Sequence, residues 1–365
     1  MKLTKIFLLT IFFSIALPFF AQKDKPLRLG VVGLSHGHLW EVLSRLDRGD
    51  FQVVGVAEKN TQLWNNKMLR AKVDEKLFFQ NLDEMLDKTK PEAVIVYEPI
   101  YDHLRVVEAC APRGIHVMVE KPLATTVQQA KRMAELAQKY HIMVLTNYET
   151  TWYPANHKAY DMICKDGTVG KMSRINVYDG HSGPVEIGCG PEFLEWLTDP
   201  MKNGGGAVVD FGCYGANLST WLMGGKKPVS VSAVLQHQKP DVYPKVDDDA
   251  TIVLEYPGVT TIIMASWNWP FGRKDMHIYG NKGALYQDNA KDMRFFSGNK
   301  KEAKMVADAL PEPYNDSFYY LKAAVRGDIE VKSTDLSSLE NNLIVVEILE
   351  AAIKSNARGK AVKLQ

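Results

Sequence analysis

The sequence predicts an α/β protein with an N-terminal doubly wound parallel sheet, followed by an α+β domain with a mainly antiparallel open sheet. Over residues 27–146, short apolar runs alternate with single amphipathic helices, a pattern typical of parallel strands with helical crossovers. After about residue 147, consecutive β-branched runs are joined by short turn signals, which is typical of antiparallel strands. The length of 365 residues suits two domains better than one.

Residues 1–21 differ from the rest of the chain. Lys2 and Lys5 precede the apolar run Ile6–Phe20, and the small residue Ala21 follows. This order predicts a secretory signal peptide, and therefore an exported, periplasmic protein. The run is short for a membrane span, although an uncleaved anchor remains the alternative. The predicted domain limits are 1–21 for the signal peptide, 22–147 for the first domain and 148–365 for the second.

The charge balance argues against a nucleic-acid partner. The formal net charge is +1, and subtracting the two lysine charges of the predicted signal peptide leaves −1. A protein without a basic excess cannot neutralise many backbone phosphates. The four cysteines have no C-x-x-C spacing, so nothing in the sequence requires a disulfide.

The first elements form a predicted nucleotide-binding βαβ unit. A strand, a glycine turn, an amphipathic helix, a second strand and an acid follow one another within about 30 residues. The helix has apolar residues at i, i+3, i+4 and i+7. These elements are Leu27–Val32, the turn Gly33–His38, the helix with Leu39, Val42, Leu43 and Leu46, Phe51–Ala57, and Glu58.

The alternation continues to the end of the first domain and then changes. We predict helices near Asn81–Asp87, Asp102–Ala111 and Thr126–Tyr140, and strands at Ala93–Tyr97, Ile115–Val119 and Ile142–Thr146. In the second domain we predict helices at Asn156–Lys165, Val209–Met223, Asn315–Arg326 and Leu336–Ser355, and strands at Met172–Val177, Val229–Leu235, Ala250–Tyr256, Thr260–Trp267, Met276–Tyr279 and Ala284–Gln287. The stretch 181–206 has little periodicity.

A lysine stands directly after the buried strand Ile115–Val119. The strand ends in Glu120-Lys121-Pro122, and Thr126 with Gln129 forms the capping pattern that begins the next helix. Open α/β sheets bind their ligands at the carboxyl ends of their strands. Lys121 is therefore a candidate active-site cation, and a solvated loop lysine is the alternative.

The glycine turn matches a dinucleotide fingerprint only in part. Aligned to G-x-G-x-x-G, the turn supplies Gly33, Ser35 and His38, so only the first glycine is kept. A helix N-terminus behind such a turn can bind a pyrophosphate. Glu58 can accept hydrogen bonds from a ribose diol and would repel a 2′-phosphate. NAD is therefore favoured over NADP, although Lys59 weakens that preference.

A second candidate set follows the glycine run Gly204–Gly206. Asp210 and Tyr214 are four residues apart, so they share one face of the predicted helix. A carboxylate and a phenol beside a lysine form a plausible proton-transfer set, because an ammonium lowers the pKa of a nearby phenol and burial lowers that of a lysine. Asp210 as a cap and Tyr214 as a core aromatic are the alternatives.

Together, these motifs resemble the Gfo/Idh/MocA oxidoreductases. The residues that carry the resemblance are Glu120-Lys121-Pro122, the pattern from Gly204 to Tyr214, and Pro99 with His103. The resemblance implies a Rossmann domain, an open sheet used for homo-oligomer contacts, a nicotinamide cofactor, and a sugar or cyclitol substrate. Lys121 matches the active-site lysine of the family and Asp210 its aspartate, whereas Tyr214 stands where many members have histidine. Ser35, His38 and Asn217 depart from the family pattern.

The predicted site residues fall into three groups. The catalytic group is Lys121, Asp210 and Tyr214. Aromatic rings that could stack on sugar C–H faces, together with polar neighbours, form the substrate group: Trp152, Tyr153, His181, Asp210 and Tyr214. The cofactor group is Gly33, Ser35, His36, His38, Glu58, Pro99, His103, Glu120 and Lys121. We predict no metal, because the histidines lack ligand spacing and His36 and His38 lie on the predicted cofactor turn.

The sequence therefore favours an NAD-dependent dehydrogenase that acts on a secondary hydroxyl of a sugar, glycoside or cyclitol. One alternative is an NAD-dependent glycosidase that uses transient oxidation and elimination. Another is a homologue that binds a sugar or a dinucleotide without chemistry. Export would remove the protein from the cytoplasmic NAD pool, so we expect a tightly held cofactor. The signal peptide lacks the twin arginine of folded-protein export, which leaves cofactor loading unexplained.

Overall fold

The computed structural model describes residues 25–298 and 301–364, so the predicted signal peptide lies outside the described residues. The first domain contains a six-stranded sheet in the order β3-β2-β1-β4-β5-β6, in which every neighbouring pair is parallel. This is the doubly wound order of the predicted Rossmann fold, which is confirmed. The strands are β1 (Leu27–Val32), β2 (Phe51–Ala57), β3 (Phe78–Phe79), β4 (Ala93–Val96), β5 (His116–Glu120) and β6 (Val144–Asn147).

Five helices connect these strands: α1 (Trp40–Leu43), α2 (Lys67–Lys72), α3 (Leu82–Thr89), α4 (His103–Cys110) and α5 (Val127–Tyr140). The predicted cap of α5 is present, because the Thr126 hydroxyl accepts a hydrogen bond from the Gln129 N–H at 3.2 Å. The predicted helix through Leu46 is shorter than expected. It has one α-turn, and the chain then reverses through Gly49, at φ +85°, to enter β2.

A nine-stranded sheet forms the centre of the second domain, in the order β14-β13-β12-β11-β7-β10-β9-β8-β15. Neighbouring strands are antiparallel except for β7 and β10, so the predicted mainly antiparallel sheet is confirmed. Three strands of this sheet were not predicted, because they are short or polar: the two edge strands Ala303–Val306 and Val362–Lys363, and Asp292–Ser297 next to the first of them. The strands are β7 (Met172–Gly180), β8 (Ser230–Gln236), β9 (Asp249–Tyr256), β10 (Val259–Ser266), β11 (Arg273–Gly280), β12 (Gly283–Gln287), β13 (Asp292–Ser297), β14 (Ala303–Val306) and β15 (Val362–Lys363).

The remaining helices are α6 (Pro154–Tyr160), α7 (Pro191–Leu197), α8 (Ala207–Asp210), α9 (Gly212–Leu222), α10 (Ser317–Arg326) and α11 (Leu339–Arg358). The stretch predicted as irregular contains α7. A π-helical turn, Asp161–Lys165, continues α6. The predicted helix 209–223 is broken at Phe211, whose backbone has φ −108° and ψ −32°. As a result, Asp210 ends one short helix and Tyr214 lies in the next, rather than on one continuous face.

The C-terminal part of the chain returns to the first domain. Phe318 and Leu321 of α10 are fully buried in the apolar cluster that contains Leu27, Leu29 and Phe51. The rings of Phe51 and Phe318 stack with their centres 4.7 Å apart. Among the described residues, no helix has the length and apolarity needed to cross a membrane.

Candidate active site

The site lies where the strands of the parallel sheet end. Gly33 follows β1, Glu58 follows β2, Pro99 comes shortly after β4, and Glu120 and Lys121 close β5. Because parallel strands present their carboxyl ends at one edge, these residues of distant sequence position are brought together. The predicted cofactor residues therefore occupy one edge of the sheet.

The glycine turn has a backbone geometry that only glycine satisfies at its first position. Gly33 has φ +82°, and a Cβ atom there would lie 2.4 Å from Cγ of Glu98. The Glu58 carboxylate then fastens the turn, since it accepts hydrogen bonds from the N–H groups of Leu34 at 2.8 Å and Asn60 at 2.7 Å. Glu58 thus lies beside the turn, as a ribose-binding acid requires.

Helix α7 of the second domain covers part of this turn. The Trp196 indole N–H donates to the Ser35 hydroxyl at 3.1 Å, and the rings of Phe193 and Trp196 lie 4.9 and 5.4 Å from that of His36. A cavity of about 400 Å³ remains between the turn and the segment from Ile187 to Phe193. Residues from the stretch without a sequence pattern therefore form one wall of the predicted cofactor site.

The two histidines of the turn are bonded to their neighbours. His36 Nδ1 accepts a hydrogen bond from the His38 N–H at 3.0 Å, and His38 Nδ1 lies 2.8 Å from a Glu120 oxygen. Burial lowers the pKa of His36 well below its usual value. Burial also lowers that of His38, but the charge of Glu120 outweighs it and raises the pKa overall. The His38–Glu120 contact is therefore a charged pair.

His36, His38 and Glu120 are also close enough to share a metal ion, with ligand atoms within 4.8 Å of one another. The hydrogen bonds disfavour that use. The neutral His36 ring accepts through Nδ1, so its proton is on Nε2, the nitrogen that would otherwise be free to ligate. Metal-binding imidazoles usually show the opposite pattern, donating through the second nitrogen. The prediction of a site without metal stays a prediction.

A buried polar network continues from Glu120. The Asn147 side-chain amide donates to Glu120 at 2.8 Å and to Glu41 at 3.0 Å, and its oxygen accepts from the Trp152 indole at 3.0 Å. Burial, reinforced by the charge of Glu120, raises the pKa of Glu41 to about 7. The sequence analysis missed Glu41 and Asn147, because neither stands in a recognisable motif.

The residues after β4 lie at the same edge. Pro99 precedes a 3₁₀ turn, and His103 begins α4 with its ring fully buried. His103 Nδ1 contacts the Leu123 carbonyl at 3.1 Å, and Nε2 has no hydrogen-bond partner among the residues that the structure describes. Burial lowers the pKa of His103 to about 4, so the ring is neutral at physiological pH.

Lys121 and Asp210 form a buried ion pair across the two domains. The Lys121 ammonium donates to Asp210 Oδ1 and, at 2.9 Å, to the Asp210 carbonyl. The Trp267 indole donates to Asp210 Oδ2 at 2.9 Å. Burial disfavours the charged form of each side chain, but the opposite charge of the partner favours that form more strongly. The pKa of Lys121 is therefore raised and that of Asp210 lowered. Burial therefore acts on Lys121 in the expected direction, but the charge of Asp210 outweighs it, so the expected net lowering of the Lys121 pKa was wrong.

Tyr214 differs from its predicted chemical role. Its side chain is buried, and burial raises its pKa well above the usual value, although we expected a nearby ammonium to lower it. The ring centre lies 5.1 Å from Lys121 Nζ and 4.7 Å from Lys274 Nζ. Tyr214 is thus a neutral phenol whose ring contacts two cations.

A cleft of about 750 Å³ lies in the second domain; Lys121, Asp210 and Tyr214 do not line it, but Phe211 does, and the Phe211 ring centre lies 5.9 Å from Lys121 Nζ. His181 and Tyr153, both predicted to bind substrate, line it together with Glu149, Phe211 and Lys274. The ring of His181 packs edge-on against Phe211, and burial lowers its pKa, so the ring is neutral. We call this cavity the substrate cleft, after the two predicted substrate-binding residues that line it.

The substrate cleft is rich in charges, but these charges are paired. Arg273 binds Asp275 through two nitrogens at 2.6 and 2.7 Å, and Arg294 binds Asp288 at 2.7 and 2.6 Å. Lys274 binds Glu149. Paired charges offer donors and acceptors for hydroxyl groups without a strong net field, as a neutral sugar requires.

Trp152 is not part of the substrate cleft. Its indole donates to Asn147, and its ring lies 5.4 Å from that of Tyr320 of α10. Adjacent residues of the 3₁₀ linker between the domains point in different directions, so Tyr153 reaches the cleft and Trp152 does not. Trp152 therefore lies outside the substrate cleft, and its predicted role in substrate binding stays a prediction.

Two acids near the cleft were missed. Asp179 ends β7 opposite Lys274 of β11, and neither of its carboxyl oxygens has a hydrogen-bond partner within the described part of the chain. Burial raises the pKa of Asp179 well above its usual value, with Lys274 acting against it. The other acid, Glu149, has a pKa that Lys274 lowers in spite of burial. The strand also contains Ser173, Arg174 and Asn176, so the sequence offered no signal that distinguished Asp179.

Two family models match the chain in sequence. Residues 27–148 match an oxidoreductase family with an NAD-binding Rossmann fold, and residues 157–286 match the GFO/IDH/MocA C-terminal domain. A D-xylose 1-dehydrogenase [NADP(+)] of Haloarcula marismortui is 24% identical over 258 residues, which are 70% of this chain and 69% of that protein. A trans-1,2-dihydrobenzene-1,2-diol dehydrogenase of Xenopus tropicalis is 24% identical over 324 residues, 86% of this chain and 92% of that one.

Solved structures share the fold. An aldose-aldose oxidoreductase from Caulobacter crescentus, complexed with glycerol, superposes with a TM-score of 0.80 and 21% identity, over 93% of this chain and 100% of that chain. An inositol dehydrogenase homolog from Azotobacter vinelandii, complexed with NAD+, also has a TM-score of 0.80, with 19% identity, over 93% and 98% of the two chains. Both domains therefore have counterparts arranged in the same way.

Proposed function

Since the chain belongs to the Gfo/Idh/MocA oxidoreductases, we propose that it is an NAD-dependent dehydrogenase acting on a secondary hydroxyl group of a sugar, glycoside or cyclitol. The observation that carries the proposal is the buried Lys121–Asp210 pair, which lies at the carboxyl edge of the parallel sheet and 5.9 Å, measured from Lys121 Nζ, from the ring of Phe211 in the substrate cleft. Relatives named as xylose and dihydrodiol dehydrogenases, and as an inositol dehydrogenase homolog, support a polyhydroxylated substrate.

The residues at the sheet edge fit NAD. The glycine turn has no room for a side chain at Gly33, and it borders a cavity. The Glu58 carboxylate lies beside the turn. The turn residues Gly33 to His38 would hold the pyrophosphate, Glu58 a ribose, and Glu120 with Lys121 the nicotinamide end. A cofactor bound there would supply the hydride acceptor for oxidation of the carbon that carries the substrate hydroxyl.

Lys121 and Asp210 together remove the hydroxyl proton. Lys121 is held as an ammonium, so it cannot accept a proton until it has given one away. Its hydrogen bond with Asp210 provides the route: Lys121 passes a proton to Asp210 and receives the proton of the substrate hydroxyl. The carboxylate becomes a carboxylic acid, the lysine remains an ammonium, and the substrate becomes a ketone. Tyr214 holds the cation through its ring rather than moving the proton.

The direct test is oxidation of a panel of sugars, glycosides and cyclitols by the purified protein loaded with NAD, followed through the absorbance of its bound nicotinamide in a single turnover. Lys121→Met should reduce turnover by about 10²- to 10⁴-fold, the range for loss of acid–base catalysis. Lys131→Met, on the exposed face of α5, is the control. Equal turnover of Lys121→Met and the wild type on a confirmed substrate would refute the mechanism.

The glycosidase alternative has support in the substrate cleft. Elimination after transient oxidation needs a base for a carbon-bound proton and an acid for the leaving group. Glu149 and the neutral His181 supply two titratable groups beyond the Lys121–Asp210 pair. Product analysis separates the two functions, since a net dehydrogenase yields a keto-sugar and reduced cofactor, whereas the glycosidase yields a hydrolysed glycoside with no net change of cofactor.

We extend the proposal to an exported, periplasmic protein that keeps its NAD bound through many turnovers. The leader-like pattern of residues 1–21 supports export, and the wall that α7 forms over the glycine turn supports slow release of the cofactor. N-terminal sequencing of the protein from cell fractions tests the first part. Denaturation of the purified protein without release of a nicotinamide nucleotide would contradict the second.

A further inference from the structure

A second cavity, of about 360 Å³, lies outside the substrate cleft and is not used by the mechanism above. It is bordered by the linker between the domains, the π-helical turn after α6, helix α9, and the residues on either side of α10. Its volume falls in the range of small-molecule sites. Five of its lining residues are aromatic: Trp152, Tyr160, Trp221, Tyr314 and Tyr320.

The aromatic walls of the second cavity hold one another in place. Tyr160 stacks on Trp221 with ring centres 4.4 Å apart, and Tyr320 contacts both Trp152, at 5.4 Å, and Tyr314, at 6.1 Å. Tyr314 nevertheless remains 41% exposed. Rings that are fixed by their neighbours lose little freedom when a ligand binds. The walls therefore provide preformed surfaces for the C–H face of a ring-shaped ligand.

The charged groups of the second cavity balance. Asp161 pairs with Lys165 at 2.7 Å, and Asp335 accepts hydrogen bonds from the Tyr320 hydroxyl at 3.4 Å and the Lys332 N–H at 2.9 Å. Two acids thus face two lysines, which disfavours an ionic ligand. Many hydrogen-bonding groups beside aromatic rings suit an uncharged, polyhydroxylated molecule.

Two further features point to a ligand. Asp161 and Lys165 begin and end the π-helical turn, a rare geometry that occurs frequently at functional sites. The linker contributes to both cavities, because Glu149 and Tyr153 line the substrate cleft whereas Thr151 and Trp152 line the second cavity. A ligand against Trp152 would therefore contact the same segment that shapes the substrate cleft.

We propose that the second cavity is a carbohydrate- or cyclitol-binding site, separate from the substrate cleft. Binding there is transmitted to the active site through Trp152, whose indole is bonded to Asn147, which in turn bonds Glu120. The proposal does not depend on the identity of the reaction, because it concerns binding at a site that lacks the Lys121–Asp210 pair.

The test is isothermal titration of the full-length mature protein with methyl β-glucoside, cellobiose and myo-inositol. Arg273→Ala, which removes a cation from the lining of the substrate cleft, is used as the background, and the second-cavity substitutions below assign any binding that remains. We expect binding of at least one probe to survive in this background. Added Tyr314→Ala or Asp161→Asn should then weaken that binding at least tenfold.

Matched controls are available on the surface. Tyr101→Ala removes a tyrosine that is 50% exposed outside the second cavity, and Asp166→Asn removes an exposed acid next to the π-helical turn; both should leave the probe affinity unchanged. The proposal is overturned if no probe binds in the Arg273→Ala background. It is also overturned if Tyr314→Ala and Asp161→Asn have no more effect than the two controls.

Discussion

Substitutions of Lys121 and Asp210 should have strongly non-additive effects on the free energy of unfolding. Both side chains are at least 90% buried, and Asp210 accepts from Lys121 and Trp267 at once. Removing one partner leaves a buried charge uncompensated, which lowers the free energy of unfolding by about 3–5 kcal/mol. Asp210→Asn and Lys121→Met should therefore each destabilise the protein by about 3 kcal/mol.

The double variant Lys121→Met/Asp210→Asn removes both charges, so its loss should be about 3–4 kcal/mol rather than the additive value of about 6. The coupling energy, about 2–3 kcal/mol, is measured from urea unfolding of the four proteins. Additive losses, or single losses below about 1 kcal/mol, would show that the charges are not paired in the folded protein.

The same pair predicts a pH dependence. The folded-state pKa of Asp210 is below its usual 3.8, so its contribution is present above that pH and is lost as the pH falls through the folded value. The folded-state pKa of Lys121 is above its usual 10.5, so its contribution is present below that pH and is lost as the pH rises through the folded value. The stability difference between wild type and Asp210→Asn should be flat from about pH 5 to 9 and shrink in acid.

Three other substitutions test individual assignments. Tyr214→Phe keeps the ring that contacts the two lysines, so its turnover should fall less than about tenfold, whereas the turnover of Tyr214→Leu should fall further. A fall in turnover above about 10³-fold for Tyr214→Phe would show that the phenol carries the proton. Glu58→Gln removes the charge beside the glycine turn, so the protein should bind NAD about tenfold more weakly and should prefer NAD over NADP by a smaller factor. Fluorescence titration measures both affinities. An unchanged preference for NAD would mean that Glu58 does not contact the ribose. The pKa of Glu41 is raised from 4.5 to about 7, so the stability that this group contributes is full below pH 4.5 and is lost as the pH rises through 7. Glu41→Gln should thus be more stable than wild type by about 2 kcal/mol at pH 8 and not at pH 4, and equal melting temperatures at pH 8 would refute this.

The first domain was predictable because its strands are buried on both faces. Leu27–Val32 and Phe51–Ala57 were predicted with their observed bounds, since continuous apolar runs between turn signals have few other interpretations. Strand β14 was missed because three of its four residues are exposed, so the sequence lacks the apolar pattern of a strand. The break at Phe211 was missed although Gly212, which follows it directly, was an available signal for an interrupted helix.

The site was predictable where a motif fixes the backbone and not where distant segments meet. Lys121 and Asp210 stand in family motifs, and the structure brings them together. Asn147, Asp179 and Lys274 reach the site through sheet register, which a single sequence does not encode locally. Trp152 and Tyr153 are adjacent in sequence and face different cavities, a distinction set by one turn of 3₁₀ helix.

The packing of α10 against β1 and β2 has a consequence for how the protein is made. Phe51 leaves the ribosome early, but its stacking partner, Phe318, is synthesised about 270 residues later. At typical elongation rates of about 5–20 residues per second, the apolar surface around Phe51 remains unburied by α10 for roughly 15–50 s. During that interval the surface is open to chaperones and to other nascent chains. A ribosome-bound chain stopped before residue 317 should therefore aggregate more readily than one that includes α10.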